Sequence, residues 1–208
     1  PALGNYGGET FTFGQVATQI EKLHIFFKNA GIEKQEKIAL CAKNTARWGM
    51  SFLAANTYEA VVVPILADFH PDSIKSLVNH SESSILFTDN DIWPKLDIKE
   101  MPQLKAVIST VDFALLYGAT EEIKDMYSKM DATFAETYPS GFSKESSCFF
   151  IMKNIINFFS NFFIRIRVIL CKITRMAIRN IQQTGFKVLL ILSFLSSTLS
   201  NLLFQYFF

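Results

Sequence analysis

The sequence predicts an α/β fold with a layered, mainly parallel sheet and flanking helices over its first two thirds. The first observation is a strand–helix–strand pattern, in which short apolar runs at residues 37–42 and 60–65 flank a segment with helical spacing. Nearly continuous apolar strands joined by a helix are typical of buried parallel strands, because the crossover helix covers one sheet face. The second observation is that strand and helix patterns alternate throughout residues 9–110.

The N-terminal elements follow from local signals. Residues 1–8 are expected to be a flexible lead-in, and residues 9–13 alternate enough to predict a short edge strand. Thr12 opens a capping-box pattern, which predicts a helix that continues to about Asn29. Its apolar stripe consists of Phe13, Val16, Ile20, Leu23 and Phe27. Gly31 then closes the helix where a left-handed residue is common.

The later elements are predicted in the same way. Asn44 is the expected N-cap of the helix between the two central strands. Pro71, preceded by histidine, suits the first turn of another helix. Further short strands are predicted at residues 84–88 and 106–109, and a helix is predicted around residues 120–135.

Charge divides the chain near residue 146. All 19 acidic residues lie at or before Glu145, so residues 1–145 carry a net charge of −6, whereas residues 146–208 carry +7 without a single acid. We therefore expect an α/β portion at 1–145 and a hydrophobic, basic helical tail at 146–208. The chain begins with Pro1 rather than methionine, which suggests an internal piece of a longer protein.

The three cysteines indicate a reducing compartment. Cys41, Cys148 and Cys171 are odd in number and form no CxxC pair, so neither disulfides nor a structural zinc site are expected. Cys41 lies within a predicted strand and is expected to be a small buried hydrophobic residue. We therefore expect a cytoplasmic location.

No catalytic, cofactor-binding or metal-ligating residue is assigned from the sequence. His24, His70 and His80 form no HxxE or HExxH pattern, and each is expected to have a structural or surface role. Trp48 and Phe52 are expected in the core. Two acidic clusters are expected on solvated faces, namely Glu121, Glu122 and Asp125, and Asp89 and Asp91.

Residues 8–140 carry a family resemblance. A threonine–aromatic pair before the first helix, the segment AGIEKQEKIALCAKN and the segment FLAANTYEAVVVPILADFHPDSIKSLVNHSESSILFTD occur in this order. The arrangement resembles the opening of adenylate-forming enzymes, specifically long-chain fatty acid–CoA ligases of the AMP-binding family. Gln35 and Glu59 stand where that family has glycines, so we expect both residues to keep a negative φ.

The resemblance implies a two-step reaction that uses ATP, Mg²⁺ and coenzyme A with a fatty acid substrate. It also implies a Ser/Thr/Gly-rich phosphate loop with a lysine, which belongs within residues 146–208 and is missing there. The nearest pattern is QTGFK at 183–187, whose single glycine cannot build a nest of N–H donors. We therefore expect a fragment that binds none of these cofactors and is inactive alone.

The tail permits more than one interpretation. Residues 188–208 contain no charge and could cross a bilayer core of roughly 30 Å, preceded by Lys172, Arg175, Arg179 and Lys187. Residues 149–170 would then lie at the interface, and the chain would be a non-catalytic membrane scaffold anchored through 187–208. A shifted reading frame in AT-rich DNA, or a divergent helical extension, would give the same composition. The segment is too apolar for nucleic-acid binding.

Overall fold

The chain opens with a small hairpin in the computed structural model, which describes residues 1–141. Strands β1 (Leu3–Gly4) and β2 (Thr10–Phe11) pair antiparallel. The prediction of a flexible lead-in is therefore wrong, because the Asn5 N–H donates to the Glu9 carbonyl at 2.8 Å and closes the turn between the strands. The predicted strand at 9–13 is present only as the two residues of β2.

Helix α1 spans Phe13–Asn29, as predicted from its cap and its apolar stripe. The Gln15 N–H donates to the Thr12 hydroxyl at 3.3 Å, and the Thr12 N–H donates to the Gln15 side-chain carbonyl at 2.8 Å. These reciprocal bonds satisfy two backbone donors that have no partner within a helix. Gly31 follows the helix at a φ of 63°, the left-handed conformation expected of it.

A five-stranded sheet forms the centre of the described region. Its strands are β3 (Lys37–Cys41), β4 (Val61–Ile65), β5 (Ile85–Thr88), β6 (Ala106–Ser109) and β7 (Leu115–Gly118). They lie in the order β4-β3-β5-β6-β7, with the first four parallel and β7 antiparallel to β6. The predicted mainly parallel α/β sheet is confirmed, and β7 is the strand of this sheet that the sequence analysis did not predict.

Three more helices connect or follow these strands, and a fourth ends the described region. They are α2 (Ala46–Thr57), α3 (Pro71–Ser81), α4 (Glu121–Ser128) and α5 (Met130–Thr137). Thr45, rather than the predicted Asn44, is the N-cap of α2, because its extended backbone lets its hydroxyl accept the Trp48 N–H at 3.1 Å. His70 caps α3 ahead of Pro71, where the proline pattern placed the start of that helix.

The single helix predicted around 120–135 is two helices that meet at Lys129. That residue has a ψ of −6°, so the helical path breaks there. Ile123, Met130 and Phe134 are all buried in the core. Because apolar residues recur at helical spacing across both helices, the sequence pattern does not show that the helix breaks at Lys129.

Both faces of the sheet are covered, which gives an α/β/α arrangement. One core cluster joins α1, α2, α4 and α5 to alternate sheet residues such as Leu40 and Phe87. The other cluster joins α3 and the loop at residues 92–104 to the intervening sheet residues, among them Ala39 and Leu86. The central strands are therefore buried on both faces, which explains their unbroken apolar sequences.

Met50 and small residues, rather than the large aromatics, form the buried face of α2. Ala54 and Ala55 are completely or almost completely buried, whereas Trp48 and Phe52 are half-buried and stack on each other with ring centroids 5.4 Å apart. The two aromatics were predicted to lie in the core. They are instead partly buried residues that pack against the edge of the core cluster. Alanine allows α2 to approach α1 and the sheet closely.

The two turns that precede β3 and β4 adopt the left-handed conformation without glycine. Gln35 has a φ of 73° and Glu59 a φ of 66°, so the expectation of negative φ is wrong at both positions. The two turns pair directly, because the Gln35 N–H donates to the Glu59 carbonyl at 2.9 Å and the Val61 N–H donates to the Glu36 carbonyl at 2.8 Å. This pairing extends the β3–β4 ladder and holds both residues in a conformation that costs them energy.

The predicted tail lies outside the described residues, together with the proposed membrane segment at 188–208. None of the helices within residues 1–141 is both long and apolar enough to span a bilayer.

Replacing Glu59 with glycine tests the strain in this turn. We expect Glu59→Gly to raise the free energy of unfolding by about 0.5–1 kcal/mol, because glycine adopts positive φ without the steric cost of a Cβ. Urea denaturation would measure the change. The control is Glu59→Gln, which removes the exposed ion pair with Lys34 but keeps the Cβ, and which should bring no gain. Lower stability for Glu59→Gly than for Glu59→Gln would contradict the prediction.

Candidate functional site

The carboxyl ends of the parallel strands meet along one edge of the sheet. Strand β4, which follows β3 in the chain, lies on one side of β3 in the sheet. The next strand, β5, lies on the opposite side of β3. The strand order therefore reverses between β3 and β5. In open α/β sheets, the crevice at such a switch point is the usual place for a ligand.

A polar cluster occupies this switch point. Asp89 follows β5 and is only 6% exposed, so the prediction that it lies on a solvated face is wrong. Its carboxylate accepts the Lys43 N–H at 2.8 Å and the hydroxyl of Thr110. The burial of Asp89 follows from the sheet order, which brings the residues after β3 and β6 to either side of it.

The outer part of the cluster is exposed. Lys43 Nζ lies 3.0 Å from Asp91 Oδ2, and both side chains are mostly exposed, so Asp91 is solvated as predicted. The hydrogen bond between Lys43 and Asp91 raises the pKa of the Lys43 ammonium. The cluster thus ties β3, β5 and β6 together, and Lys43 already has its counter-ion.

Behind this cluster, a row of small polar side chains crosses the strand ends. Cys41, Thr88 and Ser109 occupy matching positions on β3, β5 and β6. Burial, with a smaller contribution from Asp89, raises the pKa of the Cys41 thiol to about 12, so it stays protonated at neutral pH and is a poor nucleophile. The Thr88 hydroxyl is fully buried and has no hydrogen-bond partner among the described residues.

A pocket of about 530 Å³ lies among the first turns of α1 and α2 and the turn between β6 and β7. It is lined by Phe11, Gly14, Gln15, Thr18, Gln19, Arg47, Met50, Asp112, Phe113 and Gly141. The Arg47 guanidinium binds the Glu9 carboxylate and lies 5.1 Å from the centre of the Phe11 ring. The lining offers apolar contact and hydrogen bonds, but it brings no nucleophile and base together.

The three histidines lie on or directly before helices. His24 lies between α1 and α2 with Nε2 3.0 Å from the Ala54 carbonyl oxygen. His70 caps α3 through a bond to the Asp72 N–H, and His80 is exposed near the other end of that helix. Within residues 1–141, no group of three or more His, Cys, Asp or Glu side chains could hold a metal ion.

The remaining predicted features divide between the surface and the tail. Glu121 and Glu122 are exposed, as is Asp125, which pairs with Lys129 at 2.6 Å. The glycine–lysine pattern at 183–187 lies outside the described residues. The sequence offered one overlooked signal for the switch-point cluster, because Lys43, Asp89 and Thr110 each follow the end of a strand.

The resemblance seen in the sequence motifs is supported by a family model. The family model of the AMP-binding enzyme matches residues 1–152, most of the chain. The chain belongs to the AMP-binding enzyme family.

Individual relatives are similar to shorter portions. The long-chain-fatty-acid–CoA ligase heimdall of Drosophila melanogaster is 30% identical over 128 residues, which cover 60% of this chain and 18% of the ligase. The putative acyl–CoA ligase YdaB of Bacillus subtilis is 25% identical over 125 residues, which cover 60% of this chain and 25% of that protein. The chain thus spans a quarter or less of the length of these relatives.

The chain is also similar, over about half of its length, to parts of two solved acid ligase structures. The anthranilate CoA ligase AuaEII, solved in complex with anthranoyl-AMP, is 16% identical, with a TM-score of 0.45 over 55% of this chain and 21% of its own. The coronafacic acid ligase of Pectobacterium brasiliense is 22% identical, with a TM-score of 0.46 over 52% of this chain and 23% of its own.

Asp89→Ala tests the role of the buried carboxylate. We expect the substitution to lower the free energy of unfolding by about 2–3 kcal/mol, since it leaves the Lys43 N–H and the Thr110 hydroxyl without their acceptor. Asp91→Ala is the matched control, and its loss should stay below about 1 kcal/mol because its ion pair is exposed. Equal losses in urea denaturation would contradict the assignment.

Proposed function

We propose that this chain derives from an AMP-forming acyl-CoA ligase and that residues 1–141 represent the scaffold part of its adenylate-forming domain. The family match over residues 1–152 supports the class, and the acyl-CoA ligases among its relatives support a carboxylic acid, of the fatty acid type, as the substrate of the intact enzyme. These substrates belong to the proposal, because the matched segment covers only 18% and 25% of these two relatives.

The reaction of such an enzyme sets demands on its residues. A carboxylate attacks the α-phosphate of ATP to form an acyl-adenylate and releases pyrophosphate, and the thiol of coenzyme A then displaces AMP. The first step requires cations and backbone N–H groups aimed at the phosphates, where charge develops. In the intact enzyme, Mg²⁺ would supply further positive charge against the phosphates.

The described residues do not fit Mg·ATP. Lys43 and Arg47 are basic residues close to the carboxyl edge, and they are paired with Asp91 and Glu9 respectively. The polar groups around Asp89 are likewise bonded to one another. The glycine-rich loop that would supply a nest of N–H donors is missing from the sequence of residues 142–208 as well.

The observation that carries the proposal is therefore a family match without the family's phosphate loop. We propose that the chain, on its own, provides structure and not catalysis. The side chains at the carboxyl edge hold β3, β5 and β6 together, and they do not supply a nucleophile or a free cation among residues 1–141.

We also propose a cytoplasmic location. The uncharged segment at 188–208 favours membrane attachment as the alternative, which recovery of the full chain in the soluble fraction would contradict.

ATP–pyrophosphate exchange tests the proposal. The purified full chain, incubated with Mg·ATP, labelled pyrophosphate and a series of fatty acids, should give no exchange above the rate without protein. An intact acyl-CoA ligase, assayed in parallel, provides the positive control. Exchange that depends on both the chain and a fatty acid would overturn the proposed lack of catalysis and would strengthen the family assignment.

A further inference from the structure

Strand β4 lies at one end of the five-stranded sheet, and β3 is its one strand partner within residues 1–141. Residues 61–63 of this strand are half-buried, and Pro64 is exposed. An edge strand presents backbone N–H and C=O groups that a strand of another molecule can bind. The β4 edge is therefore a place where two copies of the chain are expected to associate unless something prevents it.

The backbone bonds of β4 show which of its groups point away from β3. The Val61 N–H donates to the Glu36 carbonyl at 2.8 Å, and just before it the Glu59 carbonyl accepts the Gln35 N–H at 2.9 Å. In a parallel pair, the backbone groups of successive residues point alternately toward the partner strand and away from it. The odd-numbered residues of β4 therefore bond to β3, and the even-numbered residues face the open edge.

This open edge has few free donors. Proline has no N–H, so Pro64 offers only its carbonyl. The Ala60 N–H, directly before the strand, is already donated to the Ala55 carbonyl at 3.0 Å. Among residues 60–64, Val62 alone thus presents a free N–H to the open edge. Two copies that paired here would have one donor each, and they could form at most two hydrogen bonds over this stretch.

The side chains of β4 would favour association if the backbone allowed it. Its sequence, VVVPI, contains no charge. Val62 packs against the core cluster on the α2 side, and Val63 packs against the cluster on the α3 side, so both faces are apolar up to the edge. Leu66, directly after the strand, is 66% exposed. Apolar, β-branched segments without proline are typical of strands that aggregate.

Proline is the edge-protecting feature that β4 has. Charged side chains and bulges are common alternatives at sheet edges. Strand β4 has no charged residue, and its register with β3 runs without a shift from Lys37 opposite Val61 to Cys41 opposite Ile65. At the other end of the sheet, the register between β6 and β7 is irregular at residues 107–108, which disturbs the regular ladder there.

We propose that Pro64 keeps the β4 edge from pairing with a second copy of the chain. The proline removes an N–H that would face the open edge, and the β3–β4 ladder loses no bond because that N–H would point away from β3. A residue with an N–H at position 64 would give each copy two donors. Two copies could then form four hydrogen bonds in place of two.

Self-association of the full chain tests the proposal. Sedimentation velocity over a range of concentrations should give Pro64→Val a self-association constant about tenfold above that of the unmodified chain, because two hydrogen bonds are added. The matched control is Pro102→Val, which makes the same exchange at an exposed position in the loop before β6 and should leave the constant unchanged. Pro64→Lys restores the N–H but adds a charge at the edge, so its constant should stay near the unmodified value.

Residue-resolved hydrogen exchange locates the contact. In the unmodified chain, the Val62 amide should exchange faster than the Val61 amide, which is bonded to Glu36. In associated Pro64→Val, the amides of residues 62 and 64 should become protected, and amides of β3 report whether each variant is folded.

Equal self-association of folded Pro64→Val and Pro102→Val would overturn the proposal. Association of Pro64→Val that leaves residues 62 and 64 unprotected would overturn it as well. A Val62 amide that exchanges as slowly as that of Val61 in the unmodified chain would contradict an open edge, and this measurement needs no variant.

Discussion

The described fold depends on the complete burial of β3. Both of its edges are hydrogen-bonded, to β4 on one side and β5 on the other, and residues 38–41 are buried on both faces. This arrangement requires an apolar strand with parallel neighbours, and parallel neighbours require helical crossovers. Helices α2 and α3 provide these crossovers, and α1 covers the remaining part of one face. The layers therefore follow from the need to bury one five-residue strand.

The same constraint explains the backbone strain at Gln35 and Glu59. The ladder between β3 and β4 starts with bonds between the two preceding turns, so neither turn can relax without separating the strands. Positive φ is fixed by this pairing rather than by the residue type, and two residues that disfavour it are held there.

Local signals in the sequence predicted the elements whose formation is local. The Thr12 capping box, the apolar stripe of α1 and the proline start of α3 were all readable because caps and helical periodicity act within a few residues. The buried strands could be predicted because burial on both faces requires an uninterrupted apolar run. Their parallel order followed from the alternation of strands with helices.

Features that arise from contacts between residues far apart in the sequence could not be predicted from it. Asp89 looks like a surface residue until β3 and β6 bring Lys43 and Thr110 to it. Strand β7 is short and half-buried, and the turn before it contains Phe113 at a φ of 58°, where the sequence shows no glycine. The family was recognisable from spaced motifs, whereas the pocket beside α1 and α2 combines residues from four separate segments.

In the proposed function, the chain carries the family scaffold without the family's chemistry. The scaffold is present in residues 1–141, where Asp89 at the carboxyl edge holds strand ends together through Lys43 and Thr110. Titration of Mg·ATP into the full chain by isothermal calorimetry tests this separation most directly. The account predicts no saturable heat at nucleotide concentrations up to about 1 mM. A stoichiometric, saturable site below that concentration would contradict it.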